Sequence, residues 1–415
     1  MNEIFDDIPI LNMAYSEYDC GNSSYMLKYD GVTADAYKEL YQNLLGCGFS
    51  LFQENSIRNN LFATFIKNKA VYIWYCESER VLRLTAEKAL PEINQKIDLT
   101  GRGKTAFFMF EVDHSLIDCG MCLIIRTRQN RFFVIDSAHM YSVNDDIRII
   151  EFLKKVSGEE KPTVEGWFFS HAHEDHIDKF LDILKYHKNE LTIRKIYYNF
   201  PSFGHRDSHY WDFSSRNKIN VFNDEMENHP EIKKIYLHTG MVFCVDNLKF
   251  TVLCTHEDIF PESLQDFNNS STALMLETEG NKILIPGDCS VICSKIMCKR
   301  YGDYLGSDIV QISHHGHTGC SSEFYKLVGA KCALFPVTEI KFDEELPRQE
   351  SNRTAIEVSE EYYIASLGTV EIPLPYTPGN VTVHNDETNE SREGVYRLWG
   401  YEYSDEEAKR YRMKR

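Results

Sequence analysis

Three histidines and two acidic residues occupy the six positions from His171 to His176, directly after the apolar run VEGWFFS. His171 and His173 can aim two imidazoles at one point, and Asp175 and His176 can aim a carboxylate and an imidazole at a second point nearby. Imidazole and carboxylate groups suit Zn²⁺ or a comparable transition metal. The segment is therefore predicted to bind metal, because so dense a set of ligand types argues against a purely structural role.

One segment does not supply enough ligands for two metal ions, so further ligands are expected at other strand ends. KILIPGD ends in Gly287 and Asp288, and DIVQISHHG ends in His314, His315 and a glycine. A glycine beside an acid or imidazole lets a loop approach a site closely. A helix cap is the alternative role for Asp288, and at least one of the two histidines is expected to be a ligand.

In this order and at these distances, the patterns H-x-H-x-D-H, G-D and H-H-G resemble the metallo-β-lactamase superfamily of metallohydrolases. The succession NNSSTALML, KILIPGD and DIVQISHHG is most similar to the branch that contains competence-type DNA-internalisation proteins and phosphorylcholine esterases. The resemblance covers roughly residues 106–376. It implies an αββα sandwich with the metal ions at one edge.

Carried over by position, the resemblance implies a metal-binding set of His171, His173, Asp175, His176, Asp288, His314 and His315. The first two histidines would hold one metal ion, and Asp175 with His176 the other. Asp288 would bridge both ions. One of His314 and His315 would complete the second site. His314 is slightly favoured because it follows the strand directly, and its neighbour would then face the substrate.

The chain departs from the superfamily pattern between the first motif and the bridging aspartate, where many members carry a further histidine. The corresponding stretch here is FNNSSTAL, with Asn268 and Asn269. His256, His205 or His209 could supply the missing ligand. Alternatively, the first metal site is weak, or water and substrate complete it.

Metal chemistry suggests the mechanism. A water that bridges two cations loses a proton near neutral pH and becomes a nucleophilic hydroxide. Asp175 or Asp288 can orient this hydroxide, and the cations stabilise charge on a carbonyl or phosphoryl oxygen. His315 or His317 could donate a proton to the leaving oxygen. The expected cofactors are two divalent transition metal ions, zinc first, although manganese and iron also tolerate these donors.

The favoured function is hydrolysis of a small phosphodiester or phosphoester, since a metal pair suits phosphoryl oxygens. A lactone, thioester or amide hydrolase on the same site is an alternative, and so is a nuclease. The net charge of −18 argues against a nucleic-acid partner, because an acidic chain is not attracted to phosphate backbones. A metal-binding sensor without turnover is the alternative from another class, and Asp288 argues against it because a bridging aspartate serves a two-metal site.

The elements around these motifs predict an α/β chain in three parts. Residues 1–100 show a β-α-β-β-β succession, which predicts a small α+β domain that covers a sheet edge, mediates dimerisation, narrows the substrate range or simply packs. Residues 106–376 alternate strands and helices and form the hydrolase domain. Residues 377–415 are a C-terminal extension.

The start of the chain has no basic stretch followed by an apolar core, and no apolar run approaches the ~20 residues of a membrane span. The 12 cysteines are therefore expected to be reduced thiols of a cytoplasmic protein. The close pair Cys119 and Cys122 could be a redox or metal pair, but small core residues around Gly120 are favoured. The expected partner is a small-molecule substrate, with no membrane partner, and the oligomeric state is not indicated.

Overall fold

The computed structural model describes residues 2–114, 117–142, 144–203, 208–211 and 213–384. These residues form an N-terminal sheet of six strands and two larger sheets of nine and seven strands. Among them, no helix combines the length and the apolar character needed to cross a membrane.

The N-terminal sheet is antiparallel throughout, and one helix covers one of its faces. Its elements are β1 Ser16–Gly21, β2 Ser24–Asp30, α1 Ala34–Gly46, β3 Ser50–Ile57, β4 Asn60–Ile66, β5 Ala70–Cys76 and β6 Val81–Glu87, in the strand order β1-β2-β6-β5-β4-β3. Leu40 and Leu44 of α1 lie on one helix face and pack with Phe65 in a separate core. Asn22 and Ser23 link β1 to β2 with positive φ angles of 52° and 59°, as a tight two-residue hairpin turn requires.

Two further sheets build the larger part of the molecule. Their strands are β7 Ala106–Met109, β8 Leu123–Arg126, β9 Phe132–Ile135, β10 Thr163–Phe168, β11 Thr192–Ile193, β12 Lys195–Tyr198, β13 Lys233–Tyr236, β14 Val242–Val245, β15 Leu248–Cys254, β16 Ala273–Thr278, β17 Asn281–Ile285, β18 Ile309–Gln311, β19 Cys332–Phe335, β20 Glu361–Ile364, β21 Thr369–Pro373 and β22 Thr382–His384. The first sheet has the order β13-β12-β10-β9-β8-β7-β21-β22, with β11 paired to β10. The second has the order β14-β15-β16-β17-β18-β19-β20.

The two large sheets face each other across an apolar core. Phe133 of the first sheet stacks on Phe250 of the second with ring centroids 4.3 Å apart. The helices are α2 Asp145–Ser157, α3 Glu174–His187, α4 Phe213–Glu227, α5 Val291–Tyr301, α6 Ser322–Val328, α7 Glu339–Glu345 and α8 Glu350–Val358. On the outer face of the first sheet, Phe180 of α3 packs on Trp167 at 4.9 Å, and α5, α6 and α8 contribute to the core outside the second. The predicted αββα sandwich with a small N-terminal α+β domain is confirmed.

The carboxyl ends of β10, β17 and β18 meet at one edge of the sandwich. Gly287, just after β17, has a φ of 59°, and a Cβ at this position would lie 2.7 Å from Cβ of Ser170, just after β10. Only glycine therefore allows the two strand ends, which belong to different sheets, to approach so closely. The histidine and aspartate motifs follow these same strand ends.

The described part of the predicted C-terminal extension ends at His384. Strand β22 pairs antiparallel with β21 and adds an edge strand to the first large sheet. The remainder, residues 385–415, lies outside the described residues, and the predicted domain boundaries stay predictions.

Candidate metal centre

The first motif bridges the end of β10 and the start of α3. His171 follows the strand, His173 is the N-cap residue of α3, and Asp175 and His176 lie in its first turn. Glu174 and Asp175 place negative charge at the helix N-terminus, where the helix dipole favours it. The helix is anchored by buried apolar residues such as Ile177 and Phe180. Its ligand-type side chains therefore project from a rigid element.

Four side chains from three strand ends converge at this edge. The ligand atoms of Asp175, His176, Asp288 and His315 all lie within 4.8 Å of one another. Nε2 of His315 is 2.9 Å from Oδ2 of Asp175, and Nε2 of His176 is 3.2 Å from Oδ2 of Asp288. Two carboxylates and two imidazoles in this arrangement form a donor set for a divalent transition metal ion.

His171 and His173 form a second pair beside this cluster. Nε2 of His171 lies 2.8 Å from Nδ1 of His173 and 3.8 Å from Oδ2 of Asp288. The same Asp288 oxygen lies 3.4 Å from Nε2 of His315. The Asp288 carboxylate therefore stands between the two groups of ligands, at the place where a bridging aspartate is expected.

The surroundings of Asp288 test whether these residues fit a metal ion. The residue is 1% exposed, and its Oδ1 is buried without a hydrogen-bond partner. A buried acceptor without a partner costs free energy, and for a charged group this cost is larger. A cation among the four side chains would satisfy Oδ1, so the residues fit a divalent metal ion.

A second layer of hydrogen bonds orients the imidazoles. Nδ1 of His176 donates to Oδ2 of Asp136 over 2.7 Å, and Nδ1 of His315 donates to the carbonyl oxygen of Pro336 over 2.8 Å. Each bond leaves Nε2 facing the cluster, as metal-ligating histidines require. The hydroxyl of Ser170 donates to the same Asp136 oxygen over 2.8 Å and lies 3.1 Å from Nδ1 of His171.

Asp136 and Ser170 were not among the functional residues predicted from the sequence. Asp136 follows β9, which lies beside β10 in parallel, so its position obeys the same strand-end rule as the predicted ligands. That rule, applied to RFFVIDSA, is the signal that could have found it.

Burial and the mutual charges of the cluster set its protonation. Burial raises the pKa of Asp175 and of Asp288, but His176 and His315 outweigh this effect and hold both pKa values well below their usual range. Burial lowers the pKa of His315, but the two carboxylates overcome this and raise it to about 10. The carboxylates are therefore ionised, and a metal ion must displace the proton from Nε2 of His315.

The HHG turn separates the roles of its two histidines. His314 and His315 both have positive φ angles, 52° and 54°, within the short 3-10 segment Ser313–Gly316. This turn directs His315 into the cluster, whereas Nε2 of His314 lies 3.2 Å from Nδ2 of Asn268. The preference for His314 as the ligand therefore does not fit the geometry, and His315 is the histidine that the fold brings to the other ligands.

His256, His209 and His205 were the expected sources of a further ligand. Within the described residues, the metal cluster includes neither His256 nor His209. His256 is buried beside Phe260, with ring centroids 6.3 Å apart, and His205 lies outside the described residues. Oδ1 of Asn269 accepts a hydrogen bond from Ser290.

Two other expectations concern residues near the cluster. Nδ1 of His317 lies 3.4 Å from Oε1 of Glu345, and its ring centroid is 5.4 Å from that of His314.

Cys122 is buried in the apolar core, and Cys119 forms a backbone bridge with Val337. Neither cysteine belongs to the metal cluster found in the described part of the chain.

No protein-family model and no curated protein match the chain. Among solved structures, it is similar to the metallo-beta-lactamase fold protein YhfI from Bacillus subtilis, with 11% identity, 63% of this chain and 96% of that chain covered, and a TM-score of 0.39. It is also similar to unliganded yeast PDE1, with 13% identity, 63% of this chain and 97% of that chain covered, and a TM-score of 0.39. A third similar structure is a diphosphatase from the PhnP family, with 11% identity, 56% of this chain and 86% of that chain covered, and a TM-score of 0.33. Because these TM-scores lie below 0.5, the architecture is assigned from the strand order and the layers of this chain alone.

Proposed function

We propose that the chain is a metallohydrolase of the metallo-β-lactamase superfamily that cleaves a phosphodiester or phosphoester of modest size. The observation that carries the proposal is the convergence of Asp175, His176, Asp288 and His315, together with the buried Oδ1 of Asp288, which has no hydrogen-bond partner. Bound divalent metal ions supply an activated water and stabilise the charge on phosphoryl oxygens.

Two metal ions, with zinc expected first, suit the division of the ligands. Asp175, His176 and His315 would hold one ion, and His171 with His173 the other. Asp288 faces both groups, since its Oδ2 lies within 3.8 Å of Nε2 of His171 and within 3.4 Å of Nε2 of His315. This arrangement supports a dinuclear centre with a shared carboxylate.

The side chains around the cluster take distinct parts in the reaction. Asp175 and Asp288 are ionised acceptors, and either carboxylate can orient the attacking water. His314 is half-buried beside Asn268 and takes the substrate-facing place that was expected for the neighbour of the ligand. Nδ2 of Asn268 donates to Nε2 of His314, so this ring nitrogen is an acceptor here. His317, whose Nδ1 lies 3.4 Å from Oε1 of Glu345, would donate the proton to the leaving oxygen.

A panel of chromogenic substrates tests this function. The protein, loaded in turn with zinc, manganese and iron, is assayed on a bis-aryl phosphodiester, an aryl phosphomonoester, a lactone, a thioester, an amide, a β-lactam and single-stranded DNA. We expect turnover of a phosphoester that falls by at least about 10²-fold in Asp288→Ala. The matched control is Asp182→Ala, an acid on the same edge helix α3 that pairs with Lys179.

Each of the other outcomes selects an alternative. Turnover of a lactone, thioester or amide alone assigns another hydrolase class to the same site. Cleavage of DNA alone assigns a nuclease, which the net charge of −18 disfavours. Absence of turnover in every metal-loaded form assigns the non-catalytic sensor and contradicts the proposal.

A further inference from the structure

The hairpin between β1 and β2 of the N-terminal domain lies against the loop that follows β12. Gly21 has a φ of 82°, and a Cβ there would lie 2.6 Å from the carbonyl oxygen of Phe200, so the contact requires glycine. Oδ2 of Asp19 accepts a hydrogen bond of 2.8 Å from the hydroxyl of Ser202. The hairpin therefore holds the first residues of this loop, which leaves the same sheet edge as the first metal motif.

The same hairpin also contacts the segment that follows β15. Tyr18 stacks on Phe260 with ring centroids 4.4 Å apart. Phe260 packs in a small buried cluster with Cys20 and Met26 of the N-terminal sheet. Phe260 directly follows the 3-10 segment His256–Ile259, so the hairpin fixes the start of the chain that leads to Asn268.

The two loops meet behind His173 through a series of aromatic contacts. The ring of Phe203 lies 6.4 Å from that of Trp211, and Trp211 lies 5.0 Å from Phe267. Phe267 in turn lies 5.0 Å from His173. Nε1 of Trp211 donates to the carbonyl oxygen of Leu264 over 2.6 Å, which joins the loops to each other. These contacts place both loops beside the His173 side of the metal centre.

Buried ion pairs connect the 3-10 segment His256–Ile259 to the N-terminal sheet through His238 and Arg300. Nδ1 of His238 lies 2.8 Å from Oε1 of Glu257, and its Nε2 lies 3.5 Å from Oε2 of Glu87. Arg300 pairs with Asp258 at 2.9 Å and with Glu79 at 2.7 Å. Buried charges are tolerated only with well-placed partners, so these pairs specify one docking position of the domain.

We propose that the β1–β2 hairpin belongs to the substrate-binding machinery of the enzyme. Asp19 and Tyr18 are positioning residues that hold residues 199–203 and 255–270 in place beside His173. They thereby set the affinity for the substrate without touching the metal ligands. This inference rests on the proposed function, and it assigns the N-terminal domain to substrate selection rather than to dimerisation or simple packing.

Substitutions at Asp19 test the proposal in the full-length, metal-loaded protein. The variants are Asp19→Ala, Asp19→Asn and Tyr18→Ala, and the control is Asp35→Ala, which removes an exposed acid on α1 that pairs with Lys38. In Asp19→Ala we expect faster amide hydrogen exchange in residues 199–203 and 255–270. We also expect KM for the phosphoester to rise about tenfold, the loss of one ordinary hydrogen bond, while kcat and metal content stay unchanged.

Asp19→Asn distinguishes positioning from a general loss of stability. Its Oδ1 can still accept the hydrogen bond from the Gly21 N–H, and its Nδ2 can donate to the Ser202 hydroxyl in place of the bond that Oδ2 of Asp19 accepts. We therefore expect this variant to keep the wild-type KM and exchange rates. Tyr18→Ala should raise KM in the same way as Asp19→Ala. A KM equal to that of Asp35→Ala in both alanine variants overturns the proposal, whether or not the loops exchange faster.

If the protein turns over no substrate, the proposed function is contradicted. The role of the hairpin is then tested by a binding measurement. The probe is then inorganic phosphate, titrated into the cobalt-substituted protein and followed by the visible cobalt spectrum. Weaker phosphate binding in Asp19→Ala than in Asp35→Ala supports the inference. Equal binding, or no binding in either variant, overturns it.

Discussion

Oδ2 of Asp136 lies 2.7 Å from Nδ1 of His176 in the buried layer behind the metal cluster. Burial raises the pKa of Asp136, and the charge and hydrogen bond of His176 act against this rise. The carboxylate fixes which nitrogen of His176 carries the proton and turns Nε2 toward Asp288. Asp136 would therefore act on a bound metal ion through His176, although it does not belong to the ligand set itself.

Replacement of Asp136 is expected to weaken metal binding rather than unfold the protein. In Asp136→Asn, His176 loses the charge that orients it, and the metal affinity should fall about 10–100-fold, as for other outer-layer partners. Competition with a chelator of known affinity measures this change, with Asp182→Asn as the control. An unchanged affinity in Asp136→Asn would show that the contact does not orient a ligand.

The two histidines of the HHG turn should respond differently to substitution. His315→Ala removes Nε2 from the cluster and should lower the metal content of the purified protein strongly. His314→Ala should keep the metal, because its ring contacts Asn268 and not the cluster. It should raise KM, because we place this ring beside the substrate. Metal analysis and kinetics on both variants check this division, and loss of metal in His314→Ala alone would reverse it.

The sequence predicted the layers and most of the cluster because local rules govern them. Apolar strands followed by polar residues identify β10, β17 and β18, and the spacing of His171, His173, Asp175 and His176 predicts ligands. The choice between His314 and His315 depends on two consecutive positive φ angles, which no residue type in ISHHGH specifies. The sequence therefore could not show which of the two histidines points into the cluster.

Contacts between distant parts of the chain could also not be predicted from the sequence. Asp19 and Ser202 are 183 positions apart, and either residue alone is an ordinary polar residue of a loop or hairpin. His256 has the residue type of a ligand, but it lies beside Phe260, which stacks on Tyr18 of the N-terminal sheet, and it is not part of the cluster found in the described residues. Such roles depend on tertiary packing, which outweighs the identity of a single residue.

His238 predicts a pH dependence of stability outside the metal centre. Burial lowers its pKa, but Glu257 and Glu87 overcome this effect and raise it to about 10. In the unfolded chain the pKa of His238 is about 6.5. The charged His238 with its two glutamates therefore stabilises the fold fully below pH 6.5, and this contribution is lost as the pH rises towards 10. His238→Gln leaves two buried carboxylates without a cation and should cost about 3 kcal/mol or more at pH 7.

Urea unfolding of the wild type and His238→Gln between pH 6 and pH 10 measures this difference. The two free energies of unfolding should converge as the pH rises. The control His384→Gln, which changes an exposed histidine of β22, should show no such convergence. A difference between wild type and His238→Gln that grows with pH would contradict the assignment of charge.

Metal removal should destabilise the folded protein. A ligand that binds only the folded state at 100 to 1,000 times its dissociation constant adds about 3–4 kcal/mol to the free energy of unfolding. We therefore expect a chelator to lower the unfolding temperature of the wild type, and to have a much smaller effect on Asp288→Asn. Thermal unfolding by circular dichroism checks both, and equal shifts in the two proteins would show that the metal binds elsewhere.

Anomalous diffraction from crystals of the metal-loaded protein locates the metal ions relative to Asp288 and His315. We expect one peak about 2.0–2.2 Å from Nε2 of His176, Nε2 of His315 and a carboxylate oxygen of Asp288. A second peak should lie between His171 and His173 on the other side of the Asp288 carboxylate. Protein saturated with metal whose peaks all lie beyond bonding distance of Asp288 and His315 would contradict the account.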